Sequence, residues 1–242
     1  MTAPIALALD APDLETAICW AKVADGHIST LKIGLETYLR DGIEGVKAIR
    51  AAAPSCGLFL DLKLHDIPNT VAGACRSISA LDPQYLTVHA LGGAEMVAKA
   101  VETLPNTKIT AVTVLTSLDQ TDLTELNLGS LAELAAGLAR VAVGAGARAL
   151  VCSAQEVGAI RAQVGPDISL ITPGVRLDGG ESGDQRRVST PGQALIEGAT
   201  LLVIGRPITD AWKKGGADAM AEALGNVLDH LRSYTFGLDS II

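Results

Sequence analysis

The sequence predicts an α/β protein folded as a closed (β/α)8 TIM barrel, in a single domain over residues 1–242. Three observations carry this expectation. Short apolar runs alternate with amphipathic helical patterns along the whole chain, and strict βα order implies a parallel sheet. Eight such pairs fit within the 242 residues, close to the usual size of a closed barrel. No Pro-, Gly- or Ser-rich linker divides the chain. An open doubly wound sheet is the runner-up, but no G-x-G-x-x-G motif follows any strand.

Taken in order, the first strand is the apolar run at 5–9, which ends in Asp10 and precedes a helical pattern at 14–24. The second, at 29–33, carries Lys32 and precedes a helix at 38–52. The third, at 57–63, carries Asp61 and Lys63, and Pro68 marks the opening of the next helix, patterned over 70–80. The fourth, at 85–89, ends in His89 before a helix at 94–103. The fifth, at 109–115, runs into Thr116 and Ser117; an acidic, polar connection over 117–130 leads to a helix at 131–144. The sixth, at 149–152, ends at Ser153, with a helix at 155–164. The seventh, at 169–172, runs into Pro173-Gly174-Val175-Arg176, then a glycine-bearing stretch to 189 and a helix at 191–197. The eighth, at 201–204, runs into Gly205-Arg206, and a last helix covers 218–232. Both long connections are candidate lids.

Composition narrows the function. Hydrophobic residues make up 48% of the chain but aromatics only 3%, so Ala, Leu, Val and Ile must fill the core. A formal net charge of -8 without a Lys/Arg-rich block argues against a nucleic-acid surface or an anionic-membrane surface. The cysteines Cys19, Cys56, Cys75 and Cys152 form no C-x-x-C pair and read as core residues of a reducing compartment. The N-terminus lacks a basic n-region and meets Asp10 early, so it reads as a strand rather than a signal peptide. With no apolar run near membrane-span length, the expected location is the cytoplasm.

In barrels the chemistry collects at the C-terminal ends of the strands, and here nearly every strand offers a polar residue at that end. Side chains on a strand alternate, so Leu58, Leu60, Leu62 and Leu64 share one face, and Phe59, Asp61 and Lys63 share the other. Charges on such a buried strand are rarely kept for stability alone. Lys32, Asp61, Lys63 and Asp66 form an alternating string of charge, in which acidic neighbours favour the charged form of Lys63 and leave it poised to donate a proton. Gly174 and Gly205 let backbone approach an anion, and Arg176 and Arg206 offer guanidinium forks, so the ends of strands seven and eight read as a phosphate site. Gln185 stands where the glycine-bearing stretch could fold over that anion. His65 and His89 are weaker candidates for ligand contact, and His27 and His230 read as surface residues.

These residues carry a resemblance. Asp61-Leu62-Lys63-Leu64-His65-Asp66 fits D-x-K-x-x-D, continues as Ile67-Pro68-Asn69-Thr70, and is supported by Leu31-Lys32-Ile33-Gly34, Val88-His89-Ala90, Thr172-Pro173-Gly174-Val175-Arg176 and Ile204-Gly205-Arg206-Pro207. Over essentially its whole length the chain resembles the orotidine 5'-phosphate decarboxylases of the bacterial type. The resemblance implies a lyase of pyrimidine biosynthesis that removes the C6 carboxylate of orotidine 5'-phosphate, giving UMP and CO2 in the last step of de novo UMP synthesis. It implies no metal and no organic cofactor. It gives Lys63 the protonation of C6, places Asp61 against the substrate carboxylate, and sets Asp10 and Lys32 on the ribose. Thr116 touches the pyrimidine region, Arg176, Gln185, Gly205 and Arg206 hold the phosphate, and Ile67 and Pro173 complete the substrate contacts. It also implies a homodimer in which Asp66 and Thr70 reach into the partner's site. The nearest rival is a Mg²⁺-dependent sugar-phosphate decarboxylase of the same D-x-K-x-x-D superfamily; there Lys32 would repel the metal. A catalytically silent nucleotide-binding barrel would have no need to keep Lys32, Asp61, Lys63 and Asp66 together.

Overall fold

The computed structural model describes residues 2–175 and 190–238. Eight parallel strands close on themselves in chain order, β1 pairing with both β2 and β8. The pairs run β1 (Ala3–Ala8) and α1 (Leu14–Ala24), β2 (Ile28–Gly34) and α2 (Leu35–Ala52), β3 (Gly57–Leu64) and α3 (Pro68–Ile78), and β4 (Tyr85–His89) and α4 (Gly93–Thr103). They continue with β5 (Lys108–Val112), the short α5 (Gln120–Glu125), α6 (Leu131–Gly144), β6 (Ala149–Val151), α7 (Val157–Val164), β7 (Ser169–Thr172) and α8 (Pro191–Ile196). The chain ends in β8 (Leu201–Ile204), α9 (Arg206–Thr209) and α10 (Trp212–Leu238).

Local chemistry sets these boundaries. Asp13 caps α1 by accepting the Thr16 N–H at 2.7 Å, and Pro68 opens α3, where its missing N–H costs nothing. Two differences from the sequence reading have physical causes. β5 stops three residues short of the expected 115, because its neighbour β6 ends at Val151, whose carbonyl takes the last bonds across, from the Thr113 N–H and hydroxyl. The connection read as irregular contains α5, started by a capping box between Asp119 and Asp122. His230, expected on the surface, is half-buried, its ring 5.1 Å from that of Tyr234.

Two apolar layers result. The larger lies between strands and helices and takes Leu58, Leu60 and Leu62 of β3. The smaller plugs the barrel interior with Ala6, Phe59, Tyr85, Ala149, Ile171 and Leu201. Phe59 and Tyr85 meet edge to face at 5.6 Å. This plug is the floor on which the polar rim stands. Cys56, Cys75 and Cys152 are buried, and burial pushes the Cys75 thiol up to about 11, as suits a packing role. Among the described residues no helix is long and apolar enough to cross a membrane.

Candidate active site

Above the plug lies a cavity of about 710 Å³ at the C-terminal ends of the strands. Asp10, Lys32, Asp61, Lys63, Thr116, Pro173, Gly205 and Arg206, all expected site residues, line it. Thr116 does so from the loop beyond β5 rather than from the strand itself.

The centre is Asp61. Its Oδ1 accepts from Lys63 Nζ at 2.9 Å and its Oδ2 lies 3.3 Å from Lys32 Nζ. Lys32 also approaches Asp10 Oδ1 at 4.0 Å. The side chains of Lys32 and Asp61 are only 10% and 13% exposed, whereas that of Asp10 is 54% exposed. Burial alone would raise the Asp61 carboxyl, but the two lysines outweigh it and hold the group below the ordinary carboxylate range. Gly34 makes the cluster possible. It is the ladder partner of Asp61, and a Cβ there would stand 3.2 Å from Asp10 Oδ1 and 3.3 Å from Lys32 Nζ.

The string of charge therefore runs Asp10–Lys32–Asp61–Lys63. Asp66 is not its fourth member within one chain. Among the described residues it makes no ion pair with Lys63; its Oδ1 accepts the N–H of Ile67 at 2.6 Å on the exposed turn into α3. Ile67 and Thr70 share that exposed turn and stand apart from the cavity lining. Arg176 and Gln185 lie outside the described residues. Gly174, buried with φ +75, and Gly205 bring backbone to the cavity wall beside Arg206.

Strand alternation fails within β3. Leu60 pairs with Leu86 and Leu64 with Val88, so four steps along β3 (60 to 64) face two along β4 (86 to 88). Lys63 sits in this bulge with φ +50, a left-handed backbone that side-chain-bearing residues rarely adopt. Such strain clusters at functional sites. Thr87, which sequence reasoning missed, faces the bulge and bonds to both Asp61 and Lys63. A lone threonine inside a strand gives no signal, since it is an ordinary strand residue. Trp20 and Trp212 were likewise not singled out, though both line the cavity.

His89 borders the cluster. Its ring lies 5.2 Å from that of His65, and its buried Nδ1 has no hydrogen-bond partner among the described residues. Burial, then the neighbouring His65 and Lys63, lower its pKa from 6.5. A depressed value means that the unfolded chain takes up a proton the folded chain refuses, so stability rises with pH across that window. Asp61, depressed from 3.8, acts in the same direction. Thermal melts should show stability falling as pH drops below 6.5 and again below 3.8. His89→Gln should remove the first step alone; an unchanged first step would assign it to another group.

Comparisons with known proteins agree with this geometry. The profile of the Orotidine 5'-phosphate decarboxylase / HUMPS family matches residues 3–219. The chain is 59% identical over 224 residues to orotidine 5'-phosphate decarboxylase of Thermobifida fusca, covering 92% of this chain and 96% of that protein. It is 49% identical to the protein of the same name from Frankia casuarinae, covering 92% and 87%. Among solved structures, orotidine 5'-phosphate decarboxylase from Lactobacillus acidophilus superposes with a TM-score of 0.76 at 32% identity, covering 93% of this chain and 99% of that one. Strand order, rim chemistry and sequence similarity thus converge, and the chain belongs to the orotidine 5'-phosphate decarboxylase / HUMPS family.

Proposed function

We propose that the cavity binds orotidine 5'-phosphate and that Lys63 delivers the proton which replaces its C6 carboxylate. The chain is a decarboxylase that converts this nucleotide into UMP and CO2 in pyrimidine biosynthesis. The observation that carries the residue assignment is the placement of Lys63 Nζ 2.9 Å from a buried carboxylate, in the same cavity that Arg206 lines. The C6–carboxylate bond breaks, CO2 departs, and the electron pair stays on C6 in an orbital no ring position can accept. A fixed ammonium beside C6 stabilises that charge as it develops and then transfers a proton to it; solvent reprotonates the amine. Asp61 anchors both lysines and stands against the departing carboxylate. Asp10 and Lys32 fit the ribose, and Thr116 and Pro173 fit the base. Arg206, Gly205, Arg176 and Gln185 fit the phosphate, whose binding free energy can organise the distant charges. The whole chain then acts as a single catalytic domain.

We place Asp66, Ile67 and Thr70 at the site of a second copy of the chain. Ile67 is 67% exposed, and Leu35, Leu39 and Leu91 add exposed apolar surface beyond the ends of β2 and β4, on either side of it. Such a rim suits an isologous contact. Light scattering should give twice the mass of one chain; a monomer that is fully active would overturn the shared site.

The direct test of function follows the loss of orotate absorbance with purified protein, orotidine 5'-phosphate and excess EDTA. Turnover should be unaffected by the chelator. Activity that collapses with EDTA and returns with Mg²⁺ would favour the metal-dependent rival.

A further inference from the structure

Thr87 lies on β4, fully buried, behind the cavity rather than in its wall. Its hydroxyl stands between two groups the chemistry depends on. The Lys63 N–H donates to Thr87 Oγ1 at 2.8 Å, and Thr87 Oγ1 donates to Asp61 Oδ1 at 3.1 Å. The direction of both bonds is fixed. A backbone N–H can only donate and an ionised carboxylate can only accept, so the single hydroxyl proton must point at Asp61. That oxygen, Oδ1, is the one that receives Lys63 Nζ at 2.9 Å.

We propose that Thr87 is the positioning residue of the reaction, holding the ammonium of Lys63 and the carboxylate of Asp61 in register through one hydroxyl. The inference rests on the reading that Lys63 and Asp61 carry the decarboxylation. Two independent features support it. On the β4 side the β3 bulge removes the ladder bonds that would otherwise fix residues 61 to 63, while Asp61 stays laddered to Gly34 of β2, so an ordinary contact to β4 is replaced by this side-chain bond. The left-handed backbone at Lys63 persists only if its surroundings hold it, and Thr87 supplies the bond to that residue's own N–H. Without the hydroxyl, Lys63 relaxes towards extended backbone and carries its amine off the line between Asp61 and C6. Displacements of about 1 Å at reacting groups lower rates by roughly a hundredfold.

The test compares Thr87→Val, which keeps shape and removes the hydroxyl, with Thr87→Ser, which keeps the hydroxyl. Expected for Thr87→Val is a kcat about a hundredfold lower, with UMP affinity near that of the unaltered enzyme. Thr87→Ser should restore most of the kcat. A wild-type kcat in Thr87→Val, equal impairment in Thr87→Ser, or a loss confined to UMP binding would each overturn the proposal. Thr87→Ala replaces the valine variant if that one does not fold. Failure of both to fold, beside a folded serine variant, would reduce Thr87 to a structural role and overturn the proposal as well. A crystal structure of Thr87→Val decides independently of activity. An unchanged positive φ at Lys63 with its Asp61 contact intact would refute positioning even if the decarboxylase assignment stood. An inactive wild-type enzyme would instead refute that assignment.

Discussion

Lys63→Ala lowers kcat by about 10⁴-fold or more while UMP binds nearly as before. The magnitude follows from two losses at one atom. Proton transfer by a positioned acid contributes roughly 10²–10⁴-fold, and a preorganised charge facing the developing carbanion contributes about 10²–10³-fold more. Because proton donor and stabilising cation are the same Nζ, no neighbour replaces either. Lys32 is engaged with Asp61 Oδ2 and Asp10, on the far side of the carboxylate from Lys63. UMP lacks the carboxylate and the carbanion, so its affinity reports the phosphate and ribose contacts that the substitution leaves alone. Single-turnover kinetics and equilibrium binding on one preparation separate the two effects. Turnover within tenfold of wild type would remove Lys63 from the chemistry.

Asp61→Asn should weaken the fold and the reaction together. The carboxylate now sits between two amines at 2.9 and 3.3 Å, and removing its charge leaves Lys32, almost wholly buried, facing Lys63 with only the more distant, half-exposed Asp10 at 4.0 Å to offset it. Breaking a buried ion pair by one partner costs about 3–5 kcal/mol. In a chain of this size that lowers Tm by roughly 6–20 °C, taking about 2–4 °C per kcal/mol. The amide keeps the oxygen that accepts from Thr87, so the backbone of β3 should survive and the loss reads charge rather than shape. The same variant should bind an unreactive C6-carboxylated nucleotide more tightly than the unaltered enzyme does, while UMP affinity stays level. That pattern would mean Asp61 presses against the substrate carboxylate in the ground state. Equal changes for both ligands would restrict Asp61 to holding the lysines.

Much of this was legible in the sequence because it depends on local rules. Apolar runs and amphipathic stretches gave the strand and helix order, and the strand-end rule put Asp10, Lys32, Asp61, Lys63 and Arg206 around one mouth. What escaped depends on contacts between strands. Asp61-Leu62-Lys63-Leu64 alternates perfectly as a sequence, so nothing in it announces a bulge; the break comes from pairing with β4, where Thr87 replaces a ladder partner. The place of Asp66 within one chain escaped for a local reason. Its spacing from Lys63 suggests a neighbour, but the chain turns outward and spends that carboxylate on the Ile67 N–H. The helix at Gln120–Glu125 was a different miss, since its Asp119–Asp122 box is a local signal that was there to be read.

The surplus residues of β3 divide labour along a single strand. Leu60 and Leu64 dock to β4 on either side of the excursion, and Leu58, Leu60 and Leu62 stay seated in the outer layer. Between those anchor points the backbone bearing the proton donor belongs to no ladder. Pinned on both sides and tied at its N–H to Thr87, it keeps its offset without distorting the surrounding helices, which makes the barrel wall a rigid mount for the amine.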